Sequence, residues 1–107
     1  MQRERTGQTA VIFLSVRTGE DEAGYDAAAA AMDALAAEQR GYRGMASVRG
    51  GDGIGITVSY WADDASARRW RDHPEHVRIR NAGRGIWYTR YEISVATVTR
   101  GYQWSRP

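Results

Sequence analysis

A chain of 107 residues with a formal net charge of +2 and no cysteine has room for one domain with one core, and cannot form disulfides, thiolate nucleophiles or thiolate metal sites. All fifteen basic residues are Arg, scattered among thirteen acids, which removes Schiff-base chemistry and lysine-dependent phosphate loops and argues against a nucleic acid partner. No apolar run approaches the roughly 20 residues that cross a bilayer, and the opening MQRERTGQT lacks the apolar centre of a signal peptide, so the expectation is no membrane partner and a cytoplasmic location.

Residues 1 to 8 are polar and read as a flexible lead-in to a single domain over 9 to 107. TAVIFLSVR, residues 9 to 17, is a continuous apolar run rich in β-branched side chains and suits a strand covered on both faces. Glu20, Asp21 and Glu22 then sit where a helix start favours negative charge, and an Ala-rich stretch carries that helix to about Gln39. Tyr25, Ala28, Ala29, Met32, Leu35, Ala36 and Gln39 form one stripe at helical spacing and are expected to face the core. Gly41 ends the helix. Residues 41–49 and 53–61 bracket Gly50-Gly51-Asp52, a turn signal that predicts a hairpin. In its second strand Ile54, Ile56, Val58 and Tyr60 share one face, while Gly55, Thr57, Ser59 and Trp61 share the other, and the mixed face is the better place for a ligand.

From Trp61 to Tyr88 the chain concentrates its unusual chemistry, holding three of its four Trp and both His. Asp63 is a good N-cap and Pro74 interrupts the pattern, so the spacing predicts two short helices, about 63 to 72 and about 74 to 82, closed by Gly83 and Gly85. In the second, His76, Ile79, Arg80 and Gly83 share a face, and the break lets Trp70 and His76 converge. Trp87 to Trp104 reads as one long strand. Its apolar parity runs through Trp87, Thr89, Tyr91, Ile93 and Val95 and then switches to Val98, Tyr102 and Trp104, which predicts either a bulge near Ala96 or, the preferred reading, cover first by its own sheet and afterwards by a second copy of the chain. The order is β-α-β-β-α-β with a broken second helix, an α+β ferredoxin-like class.

Ser59-Tyr60-Trp61 at the end of the third strand, Trp70, Glu75-His76, Gly83-Arg84, Trp87-Tyr88 and the late VATVTRGYQW together resemble the antibiotic biosynthesis monooxygenase domain, over nearly the whole chain. The resemblance implies a ferredoxin-like protomer, a homodimer closed as a dimeric α+β barrel, and a pocket between sheet and helices for a flat aromatic small-molecule ligand. Some members of that family oxidise aromatic polyketides or quinols with O2 and no bound cofactor, while others degrade heme. The heme-degrading pattern couples a first-strand Asn, a helix Trp and an iron-binding His about ten positions after that Trp. Here Ser15 stands nearest the first position, Trp70 matches the second and Arg80 occupies the third. One of three is retained, and no cofactor is expected.

His76 is the candidate catalytic base, because His is the side chain whose ordinary pKa suits proton abstraction near neutrality. A structural hydrogen-bonding role between Asp72 and Glu75 stands beside that reading, and His73 is the second titratable ring. The candidate substrate-binding residues are Ser59, Tyr60, Trp61, Trp70, Arg84, Trp87 and Tyr88. For the Trp residues packing is the rival role, and Arg84 either caps helix-end carbonyls or stabilises a developing oxyanion. Three functions stay open: a monooxygenase-like domain acting on an aromatic or quinol compound with O2, a non-catalytic binding or sensing dimer, and a heme-binding or heme-degrading protein.

Overall fold

The computed structural model describes residues 4–107. In chain order it forms β1 (Thr9–Arg17), α1 (Glu22–Ala37), β2 (Tyr42–Arg49), β3 (Ile54–Trp61), α2 (Asp64–Arg71), α3 (Pro74–Ile86) and β4 (Tyr88–Thr97). The four strands make one antiparallel sheet in the order β2-β3-β1-β4, with Phe13 at its centre opposite Thr57 on one side and Ile93 on the other. This is the ferredoxin-like α+β order expected from the sequence. Because side chains alternate along a strand, the odd-numbered residues of β1, β3 and β4 face the helices. The even-numbered ones face away, and Ile12, Ile54 and Ile56 among them stay exposed.

Each helix start has a local cause. Asp21 takes a left-handed backbone, φ 52°, and its carboxylate accepts the Gly24 N–H at 3.2 Å. The same carboxylate accepts Trp87 Nε1–H at 3.2 Å, tying the start of α1 to the corner after α3. Asp63 caps α2 through the Ser66 N–H at 2.8 Å, and His73 caps α3 by accepting the Glu75 N–H on Nδ1 at 3.2 Å. Pro74 takes the first position of α3, where its missing N–H costs nothing. The core lies under β3, where Trp61, without any exposed surface, packs with Ala36, Ala67 and Trp70 against Leu35, Tyr42 and Met45. Its indole N–H is satisfied by Ser59 Oγ at 3.0 Å.

Three expectations are corrected. Gly83 and Gly85 do not end α3, which continues through both to Ile86, and Trp87 is its C-cap rather than the first residue of a strand. Gly83 is buried because Tyr88 packs onto it: a Cβ there would lie 2.7 Å from Tyr88 Cε2. That close approach outweighs the conformational cost of a helical glycine. β4 also stops at Thr97, short of Trp104. A strand needs a neighbour to continue, and β1 begins at Thr9; one further pair of hydrogen bonds, Gly7 N–H to Val98 O and Val98 N–H to Gln8 O, both 2.9 Å, closes the ladder. Tyr102 and Trp104 are then 95% and 77% exposed. Of the lead-in, residues 1–3 lie outside the described residues, whereas Arg5 lies over the Tyr60 ring at 3.7 Å and Gly7 and Gln8 are tied to the sheet.

The two helical glycines predict opposite responses. Gly83→Ala should cost about 1–3 kcal/mol through overpacking against Tyr88, although Ala is the better helix former. Gly85, with nothing within 4 Å of an added Cβ, should gain up to about 1 kcal/mol on the same change. Urea midpoints of the two variants check this, and equal shifts would contradict it.

Candidate active site

The odd-numbered sheet face and the three helices line a partly open cavity of about 380 Å³. Its floor is Val11 and Phe13 of β1, Met45 of β2, Thr57 and Ser59 of β3, and Tyr91, Ile93 and Val95 of β4. On the α1 side Ala28 and Ala29 face inward between Tyr25 and Met32, and these small side chains on an otherwise apolar stripe leave space where bulkier ones would fill it. Trp70, Arg68 and Arg71 come from α2, His76, Ile79 and Arg80 from α3, and Trp87 and Tyr88 close the corner.

The break at Pro74 places the titratable group. His76 stacks on the Trp70 indole with ring centroids 4.5 Å apart and planes 9° from parallel. Its Nδ1 lies 2.9 Å from the Trp70 carbonyl oxygen, which can only accept, so Nδ1 carries the proton and the lone pair of the neutral ring is on Nε2. Burial lowers the His76 pKa below its ordinary 6.5, the Trp70 hydrogen bond works against that, and the positive charge of Arg80 lowers it further. At neutral pH the ring is an uncharged base. Among the described residues no protein group is hydrogen-bonded to Nε2.

Around this base the walls are aromatic. Tyr88 sits at 5.6 Å from Phe13, 5.9 Å from Tyr25 and 5.6 Å from Tyr91, edge to face in each case. Burial, followed by the neighbouring Tyr25, pushes the Tyr88 pKa upward, so its hydroxyl stays protonated and can donate. Asp33, on the α1 side, has its carboxyl pKa raised by burial, with Arg49 pulling the other way.

The sequence candidates divide. Ser59, Trp70, His76, Trp87 and Tyr88 all line the cavity. Trp61 does not: it stands behind Trp70, ring centroids 6.1 Å apart, and its function is to hold Trp70 in place. Tyr60 points to the other sheet face, as strand alternation requires of a residue between Ser59 and Trp61. Arg84 is exposed and is not among the lining residues, and it donates from Nε to the Tyr91 hydroxyl at 2.6 Å. His73 is committed to capping α3. Sequence reasoning missed Asp33, Thr57 and the lining Arg residues. Asp33 adjoins Met32 of the helical stripe, and Thr57 lies on the face already marked as mixed, so a wider stripe on α1 would have found the first.

Among the described residues no three His, Asp or Glu side chains gather in a way that could hold a metal ion, and no helix is long and apolar enough to cross a membrane. The comparisons with known proteins agree with this architecture. Over 91 residues the chain is 47% identical to YqjZ, an uncharacterised protein of Bacillus subtilis, covering 85% of this chain and 79% of that one. SnoaB, a cofactor-independent oxygenase from Streptomyces nogalater, has a similar fold, with a TM-score of 0.76 at 18% identity over 90% of this chain and 97% of that one. A conserved protein from Methanosarcina mazei matches with a TM-score of 0.79 at 10% identity, over 88% and 95% of the two chains. At such identities the solved structures speak for the fold alone. The sequence profile described as antibiotic biosynthesis monooxygenase matches residues 8–82, and by that match the chain belongs to the antibiotic biosynthesis monooxygenase family.

Proposed function

We propose that this protein is a cofactor-independent oxygenase that oxidises an electron-rich phenol, hydroquinone or anthrone with O2, with His76 as its base. One observation carries the reading: a neutral imidazole, its Nδ1 proton held by the Trp70 carbonyl, on the wall of an aromatic-lined cavity of about 380 Å³. A cavity of this size suits a flat compound of a few fused rings. SnoaB, whose fold this chain shares, is itself a cofactor-independent oxygenase.

For an anthrone the steps balance as follows. His76 Nε2 takes a proton from the reactive CH2, leaving a carbanion delocalised over the rings. The carbanion passes one electron to O2, and the resulting radical and superoxide combine to form a C–O bond. The peroxide takes the proton back from the imidazolium and loses water, so that one CH2 and one O2 become one carbonyl and one H2O. Trp70 fixes the base by stacking, and Tyr25, Tyr88 and Trp87 orient the ring system and keep bulk water from the anion. An oxygen electrode with a panel of anthrones and hydroquinones tests this. Uptake above the uncatalysed rate with a carbonyl product is expected; saturable ligand binding without uptake would instead identify a binding or sensing module.

A homodimer belongs to the same proposal. The helix-free sheet face carries Ile12, Val48, Ile54 and Ile56 exposed, Val48 by 74%, and the tail adds Tyr102 and Trp104. Covering such side chains gains about 25 cal/mol per Å² of apolar surface, which matters to a domain this small. Light scattering is expected to give twice the 12.0 kDa chain mass. A chain lacking residues 98–107 should be monomeric or unfolded, and a stable truncated dimer would remove the tail from the interface.

A further inference from the structure

Three Arg side chains line the cavity, and two are already matched. Arg68 pairs with Asp64 at 2.7 Å and Arg71 with Asp72 at 2.9 Å. Arg80 differs: among the described residues no carboxylate lies within 4.0 Å of it, and its Nε is buried with no hydrogen-bond partner. The nearby acid Asp72 has both oxygens taken by Arg71, at 2.9 and 3.1 Å. Asp33, across the cavity, couples to Arg49 instead. Arg17 also has a buried, unpaired Nε, but its guanidinium lies over the Tyr25 ring at 5.2 Å, and it is not part of the cavity lining.

A guanidinium has five N–H donors and no acceptor, and a buried donor left unmatched is the exception in folded proteins. Arg80 lies four residues after His76, one helical turn along the same face of α3. We propose that Arg80 is the anion-binding group of this cavity and that its ligands are flat aromatic compounds bearing an ionised oxygen, a carboxylate or an acidic enol, paired with the guanidinium beside His76. Planar oxyanions match the guanidinium fork in shape and charge. The pairing also serves the base. After burial and the Trp70 hydrogen bond, Arg80 is the next influence on His76 and disfavours its protonation, so a ligand anion that offsets Arg80 eases proton transfer to Nε2. The inference deepens the oxygenase reading by naming a substrate class. It is tested by binding without turnover, so its failure leaves oxygen uptake untouched, and absence of uptake does not affect it.

The probes are 2-naphthoate and its neutral counterpart 2-naphthalenemethanol, followed by quenching of tryptophan fluorescence. The naphthoate is expected to bind at least about tenfold more tightly, the scale of a charge-assisted hydrogen bond. Arg80→Gln should bring the two affinities together by weakening only the naphthoate, while Arg78→Gln, a change outside the cavity on the same helix, should leave the discrimination intact. Arg80→Met replaces Arg80→Gln if the latter does not fold. In the wild-type protein, raising ionic strength from about 0.05 to about 0.5 M should weaken the naphthoate and not the alcohol. Equal affinity for the two probes, no binding of naphthoate, salt-independent naphthoate binding, or discrimination that survives in Arg80→Gln or Arg80→Met would overturn the assignment.

Discussion

His76→Ala is expected to cut oxygen consumption by about 10²- to 10⁴-fold while leaving ligand affinity nearly intact, the usual scale for loss of a general base. The stack on Trp70 at 4.5 Å and the 2.9 Å contact with the Trp70 carbonyl hold the ring against one wall, so removing it enlarges the cavity without taking away its other aromatic surfaces. The pH profile gives an independent check. Burial lowers the His76 pKa from 6.5, and a base works only when unprotonated, so kcat/KM should rise with pH through a midpoint below 6.5 and stay level through neutrality. His76→Ala should abolish that rise. Oxygen uptake that persists unchanged in the variant would end the role of His76 as base, whichever substrate is used.

Trp61→Ala should be the most damaging single change to the fold, at about 3–5 kcal/mol. The total stability of a domain this size is about 5–15 kcal/mol, so the variant stands near the edge of unfolding at room temperature. Trp61 has no exposed surface, meets Tyr42 edge-on at 5.7 Å and stacks on Trp70 at 6.1 Å. Its removal leaves a void beneath β3 and an unanswered Ser59 hydroxyl. Urea denaturation measures the loss, and a cost under about 1 kcal/mol would show that the core is centred elsewhere.

Much of this architecture is legible because it depends on local rules. The period of Ile54 to Trp61 gave the two faces of β3, Gly50-Gly51-Asp52 gave the hairpin, and Pro74 gave the break that joins Trp70 to His76. The same alternation already put Tyr60 opposite Ser59, so its place off the cavity follows from the sequence as well. What could not be read locally depends on distant partners. The end of β4 is set by where β1 begins, and nothing within VATVTRGYQW encodes that. Gly83 looks like a helix terminator until Tyr88 is seen packed on it. Arg84 reads as an end-of-helix cation, and its bond to Tyr91 follows from the antiparallel return of β4 beside α3. Asp33 shows the limit of a narrow stripe, since it adjoins Met32 yet lies outside the residues that stripe took in.

The group that aims His76 is part of the main chain. Where a carboxylate side chain orients a catalytic imidazole, one substitution can delete it; here the acceptor is the Trp70 carbonyl, and it persists whatever side chain stands at position 70. The tautomer is therefore insulated from mutation of the walls. Residues such as Met32, Thr57 or Ile79 can be exchanged without changing which ring nitrogen of His76 carries the proton. The vulnerable element is the backbone turn at Asp72-His73-Pro74, whose geometry sets the direction of that carbonyl. If His76 is the base as proposed, the part of the chain that aims it is thus separate from the side chains that shape the cavity.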